Sequence, residues 1–106
     1  MRNNPIPERL KAARTKAGIS QRELGVRVGM DESSASGRMN HYEKGRHVPD
    51  IDTLRKLAKE LGVPLNYFFC EDELSAEIIC LLEQLDNKDK KKLLNSLKAG
   101  FLTDKL

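Results

Sequence analysis

The 106-residue chain has no tryptophan and only five aromatic side chains, three Phe and two Tyr. So few aromatics argue against a large ligand pocket. No apolar run approaches the ~20 residues of a membrane span, so no membrane partner is expected. The N-terminus, MRNNPIPERL, lacks an apolar centre and is not expected to act as a secretory signal. Cysteine is scarce: Cys70 and Cys80 stand in unrelated local contexts and are expected to be reduced thiols of a cytoplasmic protein. Together with His41 and His47 they have no metal-ligand spacing, so neither metal nor cofactor is expected. No Ser/His/Asp or Cys/His constellation has supportive spacing, and no Gly-rich loop precedes a helix. The chain is not expected to be an enzyme.

What the chain does have is charge, unevenly spread. Residues 1–70 carry 13 Lys/Arg and 8 Asp/Glu, a net +5, and residues 71–106 carry 6 and 8, a net −2. A basic segment suits contact with phosphate. At this length the chain is one small domain with an appendage.

Helical spacing runs throughout, and an all-α fold is expected. Residues 1–6 read as a loose tail. Pro7 and Glu8 suit a helix start, Leu10, Ala13 and Ala17 share a face, and Gly18 ends the helix. Ser20 caps the next helix, with Glu23 completing a capping box. In that helix Gly25 lies between Leu24 and Val28 and permits close approach of another helix. Gly29 then turns the chain, and Asp31 is a good N-cap for a further helix. Two short helices joined by such a turn make a helix-turn-helix.

The second helix of the motif separates into two faces. At 100° per residue, Ala35, Tyr42 and Glu43 fall within about 60° of Met39, and Ser34, Gly37, His41 and Lys44 within about 40° of the opposite side. Arg38 and Asn40 flank the outer stripe, at about 100° from Met39. Ser34, Gly37, Arg38, Asn40 and His41 are therefore candidates for contacts to base edges. The alternative is an ordinary solvated face. Gln21 and Arg22, at the N-terminus of the preceding helix, and Lys44, Arg46 and His47, in the loop EKGRHVPD, are candidate phosphate contacts. Asp50 caps the next helix, with Leu54, Leu57, Ala58 and Leu61 inward. PLNYFF is a short helix whose Leu65, Phe68 and Phe69 are expected to close the core.

The stretches LKAARTKAGISQREL, LGVRVG and RMNHYEKGRHVPDIDTLRKLAKELGVPLNYFF, within Pro7–Phe69, resemble the DNA-binding domain of the lambda-repressor-like (Xre) family. Tyr42, Glu43, Gly45 and Pro49 match the family's YE-x-G-x-x-x-P block. About four extra residues, within MDESSAS, separate the motif's helices, leaving the register of the recognition helix over residues 30–36 open. The resemblance implies a five-helix domain over residues 1–70, double-stranded DNA as partner, and an ion pair between Arg14 and Glu43. It also implies a sequence-specific transcriptional regulator, expected to be a repressor acting as a homodimer.

Residues 71–106 lie outside the matching stretch. EDELSAEIICLLEQL forms a helix with Leu74, Ile78, Leu81, Leu82 and Leu85 as one apolar stripe. KDKKKLLNSLKAGFL forms a second with Leu93, Leu94, Leu97 and Phe101, ending at Gly100. These helices read as a C-terminal hairpin packed on the domain or as a dimer interface. An antitoxin-type module with a toxin partner is the other reading.

Overall fold

Residues 4–105 are described by a computed structural model. The expected loose tail falls partly on residues 1–3, outside the described residues; from Asn4 the chain is ordered by its own side chain. Asn4 Oδ1 accepts from the Ile6 N–H at 3.1 Å, the Pro5 carbonyl from the Arg9 N–H at 3.0 Å, and α1 runs Ile6–Ala17. Gly18 ends it with φ 74°, a left-handed conformation that suits glycine. The helices α2 (Gln21–Arg27), α3 (Ala35–Glu43) and α4 (Ile51–Leu61) follow, then a 3-10 helix (Leu65–Phe69), α5 (Glu73–Glu83) and α6 (Asn87–Lys105). All regular structure among the described residues is helical.

Side-chain caps start four of these helices, α6 among them, where Asp86 Oδ1 accepts from the Asp89 N–H. Ser20 Oγ accepts from the Glu23 N–H, Asp50 from Thr53 and Asp72 from Ser75. The backbone N–H of Thr53 holds the Asp50 carboxyl below its ordinary range, and that of Ser75 does the same for Asp72. A lowered folded pKa means the caps contribute fully above the ordinary Asp range and fade as pH falls through the folded values.

The core gathers Leu10 of α1, Leu24 of α2, Met39 of α3, Leu54 and Leu57 of α4 and Phe68 of the 3-10 helix, all fully buried. The tightest approach lies between α2 and α3. A Cβ added at Gly25 would stand 2.7 Å from Ala35 Cβ and 3.1 Å from the Ala35 Cα and carbonyl oxygen. Because backbone is among the obstacles, the two helices would have to separate. Gly25→Ala is expected to destabilise the domain by about 1–3 kcal/mol, the cost of an overpacked core. Thermal melting checks this; a melting temperature equal to the parent's would contradict the close approach.

Several expectations are corrected. Asp31 does not cap α3 through its side chain: residues 32–34 form a turn, and the Asp31 carbonyl accepts from the N–H groups of Ser34 and Ala35 at 3.0 and 2.9 Å. Phe69 is exposed and Tyr67 is buried in its stead. In a 3-10 helix residues three apart share a side, so Leu65 and Phe68 turn inward together while Phe69 does not. Gly100 does not end the last helix, which continues to Lys105.

The apolar stripe of α5 faces outward. Ala76 is buried and Ile79 and Cys80 pack on the core, whereas Leu74, Ile78 and Leu81 are exposed. Beyond the turn at residues 84–86, α6 packs closely on no other helix and exposes Leu93, Leu94, Leu97 and Phe101. The molecule measures 58 × 33 × 22 Å. No helix among the described residues is long and apolar enough to cross a membrane.

Candidate nucleic-acid interface

The candidate surface is built on α3, whose inner face is anchored by Ala35, Met39 and Tyr42, all buried. Its outer side presents Gly37 and Arg38 exposed, with Ser34, Asn40 and His41 half-buried along the stripe. A Cβ added at Gly37 would meet nothing within 4 Å, so the chain's own packing does not require glycine there. Ser34 is turned back, its hydroxyl donating to the Asp31 carbonyl at 3.4 Å.

One charged network fixes the tilt of this helix. Glu43 is 3% exposed and Arg14 15%, and the Arg14 guanidinium meets both oxygens of the Glu43 carboxylate: Nε donates to Oε2 at 2.5 Å and Nη2 to Oε1 at 3.1 Å. The third nitrogen, Nη1, donates to the Ile19 carbonyl at 2.9 Å. Gln21 Nε2 completes the cluster, 3.0 Å from Glu43 Oε1 and 3.3 Å from Asn40 Oδ1. Gln21 thus ties α2 to α3, and it holds the carbonyl end of Asn40 while the amide nitrogen of Asn40 stays available. Spacing alone does not suggest this role for Gln21.

The phosphate candidates divide into two places. Arg22 stands exposed at the start of α2 and pairs with Glu32, a residue of the turn before α3. Both partners are more than half exposed, so water already weakens the pair and a phosphate could displace Glu32. Glu32 is not among the residues expected at the site; only the placement of the extra turn brings it beside Arg22. Lys44, Arg46 and His47 are exposed in the loop that leaves α3. The His41 carbonyl accepts from the N–H groups of Arg46 and His47 at 2.9 and 3.4 Å, which folds this loop back against the helix. The rings of His41 and His47 meet edge to face with centroids 5.0 Å apart.

A family model described as "Helix-turn-helix" matches residues 10–68, more than half of the chain. A crystal structure described as that of the transcriptional regulator BswR superposes with a TM-score of 0.80 at 46% identity, covering 89% of this chain and 93% of that one. The chain belongs to the lambda-repressor-like helix-turn-helix family. It is also 37% identical over 70 residues to the HTH-type transcriptional regulator ImmR of Bacillus subtilis, which is 66% of this chain and 52% of that protein. It is 26% identical over 102 residues to the cryptic phage CTXphi transcriptional repressor RstR of Vibrio cholerae, which is 92% of this chain and 88% of that repressor. The chain therefore spans about half the length of ImmR and most of RstR.

In helix-turn-helix terms α2 and α3 are the two helices of the motif, and the family match closes within the 3-10 helix. The cysteines lie on the other part of the molecule. Cys70 is buried, with its thiol donating to the Asn66 carbonyl at 3.5 Å, and Cys80 is half-buried. Burial pushes both thiols up, which keeps them protonated and poor nucleophiles.

A feature that sequence reasoning misses is the burial of Arg9. It is 4% exposed, donates through Nη2 to Glu73 Oε2 at 2.7 Å, and lies over the Tyr67 ring with its guanidinium carbon 5.9 Å from the centroid. Arg9 thereby joins α1, the 3-10 helix and α5. The tight hydrogen bond from Arg9 holds the Glu73 carboxyl below its usual range.

Proposed function

We propose that the chain is a sequence-specific DNA-binding transcriptional repressor that works in the cytoplasm as a homodimer, with α3 lying in the major groove. The observation that carries this reading is the division of α3. Its apolar side is buried to the last residue, and its outer side offers small and hydrogen-bonding groups around a glycine that the protein itself does not need. Helix-turn-helix proteins place the second helix of the motif against base edges in the major groove, while the first crosses the backbone. Arg38, Asn40 and His41 have the reach to read bases, and Ser34 and Gly37 bring the backbone side of the helix close. Arg22, Lys44, Arg46, His47 and the first residues of α2 contact phosphate on either side. The description of RstR as a repressor and of ImmR as a regulator supports the regulatory role. The domain of residues 1–70 binds DNA, and residues 71–106 join two copies.

Affinity should then depend steeply on salt. Arg22, Lys44 and Arg46 from each of two copies would neutralise about six phosphates, giving a log–log slope of about −5. Between 50 and 200 mM salt the affinity should fall roughly a thousandfold. Titration of a labelled duplex, selected by the protein from a random pool, measures this. No selection from the pool, or a slope near zero, would remove the reading.

A further inference from the structure

We propose that the partner of the exposed C-terminal face is a second copy of this chain, and that α6 of each copy lies along α5 of the other. The proposal deepens the homodimer reading above and rests on it. Leu74, Ile78 and Leu81 on α5, and Leu93, Leu94, Leu97 and Phe101 on α6, are each between 37% and 74% exposed. Seven large apolar side chains on two consecutive helices form a run larger than single scattered surface hydrophobics, and such a run marks an interface.

Charge says what covers it. Residues 71–86 contain six acids and no base, a net −6. Residues 87–105 contain six lysines and two aspartates, a net +4. At 100° per residue, Leu93, Leu94, Leu97 and Phe101 span about 100° of α6; Lys90 falls within that stripe, Lys91 and Lys98 border it on one side and Asp89 on the other. On α5, Glu77 borders the Leu74–Ile78–Leu81 stripe on the side of a groove between α1 and α5, whose lining holds Arg9, Ala12, Lys16 and Ala76; Glu73 lies farther round the helix and is already paired with Arg9. The net-basic α6 segment and the net-acidic α5 segment are therefore complementary, with Lys91 and Lys98 placed to meet Glu77, and such complementarity fixes register and partner choice.

The geometry also says why the seat is filled by another copy. The turn between α5 and α6 is set by hydrogen bonds: Gln84 and Leu85 donate to the Leu81 and Leu82 carbonyls, and Asp86 Oδ1 accepts from the Asp89 N–H at 2.8 Å. With that turn formed, α6 leaves the domain and its own α5 stripe stays uncovered. A twofold axis lets each α6 cover the other copy's α5, so both stripes are buried with no change of the turn. Helix α6, 19 residues or about 28 Å long, is ample to run the length of the 11-residue α5.

Charge reversal in trans tests the exchange. Glu77→Lys in one chain and Lys91→Glu with Lys98→Glu in another are each expected to weaken self-association at least about tenfold in sedimentation equilibrium. An equimolar mixture is expected to recover dimers, because each α6 then meets an oppositely charged α5 in both halves of the interface. As a second measurement, Leu81→Cys with Leu97→Cys in a chain that also carries Cys70→Ser and Cys80→Ser leaves two exposed thiols only, one on α5 at the groove and one on α6. A short bis-maleimide should link them between chains, at twice the chain mass. A mixture that associates no better than its components, or a link formed within one chain, overturns the exchange. If that happens while the parent chain dimerises and binds its selected duplex, the repressor reading stands without it. A parent chain that stays monomeric removes the homodimer reading together with the exchange.

Discussion

Glu43→Gln should lower the stability of the domain by about 3 kcal/mol, the cost of leaving one partner of a buried ion pair uncompensated. Glu43 is nearly inaccessible and Arg14 is well under a third exposed, so water cannot replace the lost partner without opening the α1–α3 contact. Hydrogen bonding sharpens the case. The two carboxylate oxygens accept from Arg14 Nε, Arg14 Nη2 and Gln21 Nε2. A glutamine has the same shape but one accepting oxygen, so its NH₂ group would face a donor whichever way it is turned. Unmet buried donors and an unpaired guanidinium add in the same direction. For a domain of this size the loss corresponds to a fall in Tm of roughly 10–20 °C. Lys59→Gln, on the exposed side of α4, is the comparison and should stay within about 0.5 kcal/mol of the parent. Thermal melts of the two variants decide it; equal Tm values would mean that the pair is solvated in solution. The same substitution should weaken DNA binding beyond its effect on folding, because Gln21 and Asn40 are held through this carboxylate.

Where the sequence speaks through local geometry, it is legible. The two faces of α3 follow from 3.6 residues per turn, and Ala35, Met39, Tyr42 and Glu43 lie inside as that period requires. Gly25 is legible for the same reason: a glycine between two apolar positions implies an approaching backbone, and that of Ala35 is there. What depends on distant residues is not legible. Arg9 follows Pro7 and Glu8 in what reads as the polar start of α1, and nothing near it signals that Tyr67 and Glu73 will enclose its guanidinium. The more hydrophobic side of α5 faces solvent because Ala76 and Ile79 fit the small space beside α1 and the 3-10 helix, a fit that a hydrophobic stripe does not encode. Gly100 reads as a stop, yet one exposed glycine costs a helix only about 1 kcal/mol, and α6 absorbs it. The candidate site divides likewise. The exposed stripe is visible from periodicity, whereas the link from Gln21 to Asn40 and the pairing of Arg22 with Glu32 need the turn at residues 32–34 to be placed.

That placement gives the reading of DNA a sharp test. With α3 starting at Ala35, Arg38 is free on the outer side of the helix and Asn40 is oriented by Gln21. Arginine pairs best with guanine and asparagine with adenine, each through paired hydrogen bonds worth about 1–3 kcal/mol of discrimination. Arg38→Ala and Asn40→Ala are therefore expected to lose roughly 5- to 150-fold in affinity for the selected duplex while binding single-base variants at one position almost as well as before. Gln21→Ala should imitate Asn40→Ala in part, since it releases the amide that it holds. On the proposed reading Lys44 meets phosphate alone, so Lys44→Ala should weaken every duplex by a similar factor and make the salt slope shallower by about 1. Gly37 behaves in the opposite sense to both. Its added methyl would meet nothing in the protein, so Gly37→Ala should raise stability by up to about 1 kcal/mol. It should still weaken specific binding, because the methyl enters the space between helix and base edges. The measurement is affinity for the selected duplex and its single-base variants with each mutant, alongside melting curves. If Arg38→Ala and Asn40→Ala weaken all duplexes equally, and Gly37→Ala changes only the melting curve, then α3 does not read the sequence and the bases are contacted from another part of the chain.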